Sequence, residues 1–199
     1  MREVTVTQVL SRLYDMPKID PEIIKNKGEI GKDVHSAIEA NITGNWFPLY
    51  EERRIAYYDS YGQWREADTF QYLITEQRYH DRDIFLSGQV DAVVKDKDYG
   101  TRHLLDFKTS ANETFSRDGE SIWSMQGHLY LYLLRKNGID VSDDIVFLQL
   151  KTRKTDDGYI GIKPKEFRYK YDQAIMDRCL EEVHKYWEEF DSAKLPLGE

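Results

Sequence analysis

Two aspartates and a lysine occur within a largely apolar stretch of the sequence, residues 84–110. The stretch, IFLSGQVDAVVKDKDYGTRHLLDFKTS, contains two aliphatic runs joined by a polar turn, which is typical of a β-hairpin. If the hairpin is symmetric about the bond between Asp98 and Tyr99, Asp91 lies directly opposite Asp106 and the two side chains share one face. Lys108 follows Asp106 by two positions, so the alternation of a strand places it on the same face.

Two facing carboxylates and a lysine are suited to holding a divalent metal ion and acting on a phosphate. Opposed residues in an antiparallel pair have Cβ atoms about 5 Å apart, and like charges there repel each other. The pair is therefore destabilising unless one acid is protonated or a cation lies between them. A β-bulge would change this register, and an Asp-x-Lys sequence on an exposed strand is commonly a solvated ion pair. The apolar neighbours favour a site, because charges inside apolar strands are costly unless they are partnered.

Length and composition indicate a single globular domain spanning residues 1–199, with 40% hydrophobic and 32% charged residues. No apolar run approaches the length of a membrane span, and the N-terminus lacks the apolar core of a signal peptide. The single cysteine, Cys179, excludes an internal disulfide and a cluster that needs four cysteine ligands. We therefore expect a cytoplasmic protein with no membrane partner and no iron–sulfur cluster.

Charge is distributed unevenly along the chain. The net charge of −8 argues against a passive, sequence-independent nucleic-acid binder. Residues 151–170, however, contain seven basic and three acidic residues, whereas residues 172–199 contain eight acidic and three basic residues. The basic segment is compatible with a phosphate-facing surface, although such runs are also common on solvated faces.

The elements that must position these side chains follow from hydrophobic periodicity and turn signals. We predict a short first helix capped by Thr5 or Thr7 and the start of another helix at residues 20–22. Further along the chain we predict helices at 30–42, 120–136 and 172–190, strands at 71–79 and 145–150, and a short strand pair at 159–171. The first strand would bring Glu76 beside the hairpin as a third carboxylate, and His35 lies beside the apolar stripe of its helix. This order predicts an α+β protein, an α/β/α sandwich with a central mixed sheet covered on both faces.

Residues 45–70 are unusually aromatic and have Arg53 and Arg54 interleaved. We predict two short helices separated near Tyr61 and Gly62, forming a helical insertion in the single domain. Aromatic residues at this density usually belong to a core, but with interleaved arginines they also suit base stacking and backbone contacts. The candidates for stacking are Trp46, Tyr50, Tyr57, Tyr58 and Trp64.

Assembled in this order, the sequence resembles the PD-(D/E)XK nuclease superfamily, specifically its RecB-like exonuclease branch. The likeness extends through most of the chain, and it is carried by the segments GEIGKDVH with His35, SGQVD with Gly88 and Asp91, LLDFKTS with Asp106, Lys108 and Thr109, and QGHLY with Gln126 and Tyr130. The fold of the superfamily, a restriction-endonuclease-like core, agrees with the predicted order of elements. Val90 replaces the proline that names the superfamily, and the single cysteine resembles the cluster-free phage or mitochondrial exonuclease type.

The resemblance implies a role for each matching position. Asp91 and Asp106 would bind a divalent metal, with His35 and the backbone carbonyl of Phe107 as further ligands, and Glu76 matches an upstream supporting acid. Lys108 would orient or polarise the attacking water and stabilise the pentavalent phosphate. Gln126, Tyr130 and Thr109 would position the nucleic-acid strand, and Arg53 and Arg54 would hold its backbone.

These residues predict an exonuclease that hydrolyses DNA and depends on Mg²⁺ or Mn²⁺, the ions that suit hard oxygen ligands with one imidazole. We expect it to act from free ends with a preference for single strands, in replication, recombination or repair, with a recombination or replication protein as a further partner. A phage-encoded enzyme acting in a host cytoplasm is compatible with these features. A structure-specific or restriction-type endonuclease and a catalytically silent nucleic-acid-binding domain are the alternatives, and the complete acid–acid–lysine set argues against the silent domain.

Overall fold

A six-stranded mixed sheet forms the centre of the protein. The computed structural model describes residues 3–13, 20–109, 112–117 and 119–192, apart from the side chains of residues 191 and 192. In chain order the elements are β1 (Val4–Thr5), α1 (Val6–Leu10), α2 (Pro21–Thr43), α3 (Glu52–Arg65), β2 (Phe70–Asp81), β3 (Leu86–Asp96), β4 (Arg102–Lys108), α4 (Ile122–Lys136), β5 (Asp144–Thr155), β6 (Gly158–Lys170) and α5 (Gln173–Ser192). No helix in the described ranges is long and apolar enough to cross a membrane.

Strand β3 is the branching point of the sheet. It pairs antiparallel with β2 along one edge and antiparallel with β4 along the other, and β1 pairs parallel with its first residues. Strand β4 pairs parallel with β5, and β5 pairs antiparallel with β6. The predicted hairpin register is confirmed where β3 and β4 pair, since Ala92 lies opposite Leu105 and Val94 lies opposite His103.

Helices cover both faces of the sheet, which confirms the predicted α/β/α sandwich. On the face that we name the α4 face, helices α1, α4 and α5 pack against side chains such as Val90, Val93 and Phe147. On the opposite face, named the α3 face, helices α2 and α3 pack against Ala92 and Leu148. Burial of these apolar side chains is the main favourable contribution to folding.

The ends of the first two helices follow from local sequence. Thr5 caps α1, because its side chain accepts a hydrogen bond from the Gln8 N–H and the Gln8 side chain bonds back to the Thr5 backbone. Helix α2 begins at Pro21, where Asp20 accepts a hydrogen bond from the Glu22 N–H, and this confirms the helix start expected at residues 20–22. The helix continues without a break into the one predicted at 30–42. Proline is favoured at this first helical position because its missing N–H has no intrahelical partner there in any case.

The prediction of two short helices within residues 45–70 is wrong, because the structure has one helix, α3, preceded by an extended segment. Gly62 lies within α3, where glycine costs about 1 kcal/mol relative to alanine. Packing on the sheet offsets that cost, since Ser60 Oγ donates a hydrogen bond to the Ile162 carbonyl and accepts one from the Lys151 N–H. That this segment is an insertion stays a prediction.

The predicted short strand pair at 159–171 is also wrong. Strand β6 is one continuous strand of 13 residues paired with a longer β5 than expected. The pairing changes register between Gln149 and Lys151, which places Pro164 at an irregularity on an edge strand. A proline is tolerated there because it lacks the N–H that a regular ladder needs.

Buried His128 connects α4 to the start of α5, and this contact generates a prediction about stability. His128 Nδ1 donates to the Ser124 carbonyl at 2.7 Å, and Nε2 accepts the Asp172 N–H at 2.9 Å. Burial lowers the pKa of His128. In the folded protein His128 therefore takes up a proton less readily than in the unfolded chain. The stabilisation by neutral His128 is complete above about pH 6.5 and is lost as the pH falls further.

We expect the melting temperature to fall between pH 7 and pH 5 and His128→Leu to make this fall smaller. At pH 7 the variant should lose about 1–3 kcal/mol, because the Ser124 carbonyl and the Asp172 N–H become unpaired. Thermal unfolding of both proteins across this range is the measurement, and other histidines are unchanged between them. Parallel pH profiles would show that His128 does not control the acid sensitivity.

Candidate metal centre

Strands β3 and β4 separate at the position of the two predicted acids. Their ladder ends at the pair Ala92 and Leu105, one residue before Asp91 and Asp106 would meet. Instead, Asp91 Oδ2 accepts a hydrogen bond of 2.8 Å from the Phe107 N–H. The side chain of Asp91 therefore takes the place of a backbone partner at the point where the two strands separate. We name this opening, with His35, Glu76, Asp91, Asp106 and Lys108, the fork.

Regular strand alternation breaks at the same position. Val90 belongs to the core of the α4 face and Ala92 to that of the α3 face, although an uninterrupted strand would place both on one face. Glu76 of β2 lies between the residues paired with these two positions, and its φ of 45° is in the left-handed region. A non-glycine residue in that region carries backbone strain of about 1–2 kcal/mol. Glu76 and Asp91 thus occupy irregular backbone directly across from each other on β2 and β3.

Helix α2 places His35 over these acids. His35 Nδ1 lies 3.4 Å from Glu76 Oε1 and 3.4 Å from Asp91 Oδ1, and its Nε2 lies 3.1 Å from the Phe107 carbonyl oxygen. Gly31, one turn earlier, allows the helix to approach the end of β4, because a Cβ there would lie 3.3 Å from Thr109 Oγ1. The candidate ligand atoms of His35, Glu76 and Asp91 all lie within 4.8 Å of one another.

Asp106 lies beside this group on the α4 face and is directed toward Lys108. It is 1% exposed, and its Oδ2 lies 2.5 Å from Lys108 Nζ. Lys108 Nζ also donates to Gln126 Oε1 at 2.8 Å, and Gln126 Nε2 donates to Tyr130 Oη at 2.9 Å. Hydrogen bonds therefore connect the lysine to Gln126 and Tyr130, which lie one turn apart on α4.

The charges of the fork shift the acid–base behaviour of its members. Burial raises the pKa of Asp106 to about 7, and the charge of Asp91 adds to this effect against that of Lys108. Burial also opposes ionisation of Asp91, but His35, Lys108 and the Phe107 N–H outweigh it and lower the pKa of Asp91. For His35 burial lowers the pKa, yet Asp91 and Glu76 outweigh burial and raise it well above its usual value. The fork therefore favours a positive charge between Glu76 and Asp91.

The donor set fits a divalent metal ion. Carboxylate oxygens with one imidazole nitrogen suit Mg²⁺ or Mn²⁺. Asp106 Oδ2 is buried and has no hydrogen bond of suitable geometry within the described part of the chain, despite the nearby ammonium of Lys108. Of the predicted ligands, the structure groups His35 and Asp91 with Glu76, which was expected only to support them. The ligand roles of His35, Asp91, Asp106 and the Phe107 carbonyl all stay predictions.

Gln89 is a supporting residue that the sequence did not reveal. Its Nε2 donates to Glu76 Oε2 at 2.6 Å across β2 and β3, which orients the other oxygen of Glu76 toward His35. The residue lies within the segment SGQVD, but only the strand pairing shows that it contacts Glu76. Bonds of this kind fix the direction of a metal ligand.

The residues predicted to hold nucleic acid separate into different environments. Arg54 forms ion pairs with Asp33 and with Glu51, the latter at 3.0 Å. The guanidinium of Arg53 lies over the rings of Tyr57 and Tyr159, 5.9 Å and 5.5 Å from their centroids. Among the aromatic candidates, Tyr57 belongs to the core and Tyr58 and Trp64 pack against it. Trp46 and Tyr50 are 81% and 87% exposed, so they remain available for stacking.

Comparison with known proteins supports the fold. The sequence matches no protein-family model and no curated protein sequence. Among solved structures, it is similar to an alkaline exonuclease from Laribacter hongkongensis, with 13% identity, coverage of 96% of this chain and 89% of that chain, and a TM-score of 0.50. It is also similar to a structure described as an exonuclease from Eubacterium rectale, with 9% identity, coverage of 100% and 83%, and a TM-score of 0.51. The chain therefore has the fold that its resemblance to PD-(D/E)XK exonucleases predicted.

The first prediction from the candidate metal centre concerns Asp106→Asn in the metal-free protein. Because the folded pKa is raised to about 7 from about 3.9 in an unfolded chain, ionisation opposes folding above pH 4 and does so fully above pH 7. The variant should therefore melt at least about 2 °C higher at pH 8, with a smaller gain at pH 5. It should also lose most of the rise in melting temperature that Mn²⁺ causes in the original protein.

Asp144→Asn is the matched control, because Asp144 lies outside the fork. Its carboxylate forms an ion pair with Lys170, with 2.5 Å between Oδ1 and Nζ. It should retain the stabilisation by Mn²⁺. If Asp106→Asn instead destabilises the metal-free protein at pH 8 by several degrees, Asp106 is a structural partner of Lys108 and not part of a metal centre.

A second prediction concerns His35. A metal ligand must be a neutral imidazole, so a falling pH should weaken metal binding as the ring takes up a proton. His35→Ala should raise the Mn²⁺ concentration that gives half-maximal thermal stabilisation by tenfold or more, and it should make that concentration less dependent on pH between 6 and 8. Mn²⁺ titrations of both proteins followed by thermal unfolding are the measurement. Superimposable titrations would remove His35 from the site.

Proposed function

We propose that the protein is a divalent-metal-dependent deoxyribonuclease that hydrolyses phosphodiester bonds from free DNA ends, an exonuclease. The observation that carries this proposal is the fork itself, in which His35, Glu76 and Asp91 converge beside buried Asp106 and half-buried Lys108. This combination offers hard metal ligands next to a fixed cation, and both can stabilise the charge that develops during phosphodiester hydrolysis. The fold shared with two solved structures described as exonucleases supports it.

The residues of the fork have separable tasks in this reaction. A bound Mg²⁺ or Mn²⁺ would acidify a water molecule and neutralise charge on the phosphate. Asp91 is fixed by the Phe107 N–H and Glu76 by Gln89, so the two acids are oriented before any ligand arrives. Such preorganisation lowers the reorganisation that accompanies reaction.

Lys108 supplies the positive charge that stays in place when negative charge develops on the phosphate. Its ammonium is held by Gln126 Oε1, faces Asp106 Oδ2, and lies over the ring of Phe147 with Nζ 5.3 Å from the ring centroid. A fixed cation in a water-poor site stabilises a developing oxyanion more than a mobile one in water does. Tyr130, hydrogen-bonded to Gln126, is adjacent to the same position and is suited to contact the strand.

The substrate form that we propose is a DNA strand with unpaired bases at its end, in replication, recombination or repair. Trp46 and Tyr50 are exposed and follow α2, the helix that carries His35. Stacking of a base on an aromatic ring contributes about 1–3 kcal/mol, and it requires a base that is not already stacked in a duplex. A protein partner in recombination or replication is compatible with this role.

Cleavage of end-labelled DNA tests the proposal. With Mg²⁺ or Mn²⁺, linear single strands should be degraded progressively and covalently closed single-stranded circles should survive, because the reaction starts at an end. Lys108→Gln should lower kcat by about 10²–10³. Lys136→Gln is the matched control, because Lys136 pairs with Asp83 on the surface at 2.9 Å and should leave the rate unchanged.

If circles are cut as fast as linear strands, the activity is that of an endonuclease and not of an exonuclease. Absence of any metal-dependent cleavage, in a preparation that still binds Mn²⁺, would reject nuclease activity altogether.

A further inference from the structure

The hairpin of β5 and β6 extends past the end of β4 on the side of the metal centre. Lys108, the last residue of β4, lies beside Gln149 in the parallel pairing, and β5 continues to Thr155 before the chain returns along β6. At about 3.3 Å per residue, this extension is about 20 Å long. We name residues 150–162 the arm.

One face of the arm continues the α4 face of the sheet, where Lys108 lies. Gln149 separates Lys108 from Lys165 in a row across three strands. Two and four residues further along β5, strand alternation places Lys151 and Arg153 on the same face. Leu150 packs into the core of the opposite face, which agrees with this assignment. Lys165, Lys151 and Arg153 thus form a basic row that begins two strands from Lys108 and leads away from the fork.

The arm is held in place from its other side. Gly161 faces α3 so closely that a Cβ would lie 2.4 Å from the Ala56 carbonyl oxygen. Ser60 of α3 bonds to the backbone of both strands, at the Ile162 carbonyl and the Lys151 N–H. Helix α3 therefore fixes the arm and leaves the basic row on the side away from it.

The cations of the basic row have no carboxylate partners within the described part of the chain. Arg153 and Lys165 are exposed and Lys151 is half-buried. At the other end of the same hairpin the cations are paired, Arg168 with Glu166 at 2.6 Å and Lys170 with Asp144 at 2.5 Å. Within this hairpin, the two ends therefore differ, because the cations near the metal centre lack carboxylate partners among the described residues and Arg168 and Lys170 at the far end have them. The acids Asp156 and Asp157 lie at the tip, beyond Arg153.

We infer that the basic row binds the phosphate backbone of the DNA strand that leads to the metal centre. The inference rests on the proposed function, because it names the surface by which that site would hold its substrate. Neutralisation of phosphates by lysine and arginine releases counterions and so makes binding depend strongly on salt. Ile160 and Ile162 lie opposite Arg153 and Lys151 on the same face and offer apolar contact between the cations.

The test compares two variants that remove the same charges from the same hairpin. The first is K151Q/R153Q/K165Q, and the control is K154Q/R168Q/K170Q, whose members lie on the α3 face of the same strands. Both are made in an Asp106→Asn background without metal, so that no DNA is cleaved. Binding of a fluorescein-labelled single strand of about 20 nucleotides is measured by anisotropy from low to high salt, and thermal unfolding checks that each variant is folded.

The basic-row variant should bind at least tenfold more weakly at low salt. The slope of log affinity against log salt should become shallower by about 2, since three phosphate contacts contribute about 0.7 each on a single strand. The control should stay within about threefold of the parent. In proteins that retain Asp106, the basic-row variant should raise KM more than it lowers kcat.

Unchanged affinity and an unchanged salt slope in a folded basic-row variant would overturn the inference, as would an equal loss in the control. These outcomes are distinct from failure of the proposed function. If the row is needed for DNA binding but the protein that retains Asp106 cleaves no substrate with any metal, the binding surface stands and the nuclease does not. If cleavage occurs and the row is not needed for binding, only the row is rejected.

Discussion

The rest of this structure depends on one constraint, the repulsion between carboxylates that lie close together in a largely buried part of the sheet. Two like charges 4 Å apart repel by about 4 kcal/mol at an effective dielectric constant of 20, so the fork is stable only with positive charge inside it. His35 lies between Glu76 and Asp91, and Lys108 lies against Asp106. A divalent ion would replace the proton of His35 by a larger charge, and for this reason the fork is suited to metal.

The surrounding elements bring these charges together. Strands β3 and β4 separate, so Asp91 bonds to the Phe107 N–H and not to a ladder partner. Helix α2 approaches closely enough to insert His35, and α4 approaches at Gly88, where a Cβ would lie 2.8 Å from the ring of Tyr130. Gly31 of GEIGKDVH and Gly88 of SGQVD therefore allow close packing around the fork, whereas a Cβ at Gly28 would meet no atom within 4 Å. Backbone strain at Glu76 is stored in the same place.

Net charge alone gives a misleading picture of the surface that the proposed function would present to DNA. The acidic excess lies in large part on the C-terminal segment, whereas the basic row of Lys165, Lys151 and Arg153 lies beside the candidate metal centre. Ion pairs neutralise the cations at the far end of the β5–β6 hairpin, and α3 fixes the arm from behind. Local fields decide where a strand binds, because charges farther away than about 10 Å are largely screened by salt.

The amino-acid sequence by itself determined the fold class and the hairpin register that pairs Ala92 with Leu105, because hydrophobic period and turn chemistry are local. It left the cap of α1 open between Thr5 and Thr7, and the structure shows that Thr5 is the cap. The sequence also pointed to His35, Glu76 and Asp91, whose convergence it could not measure. Only the tertiary structure decided that Glu76 joins them through irregular backbone, that Gln89 orients it, and that α3 continues through Gly62. Those features arise from contacts between distant segments, whose packing and electrostatic energies override local propensity and are absent from any short window of sequence.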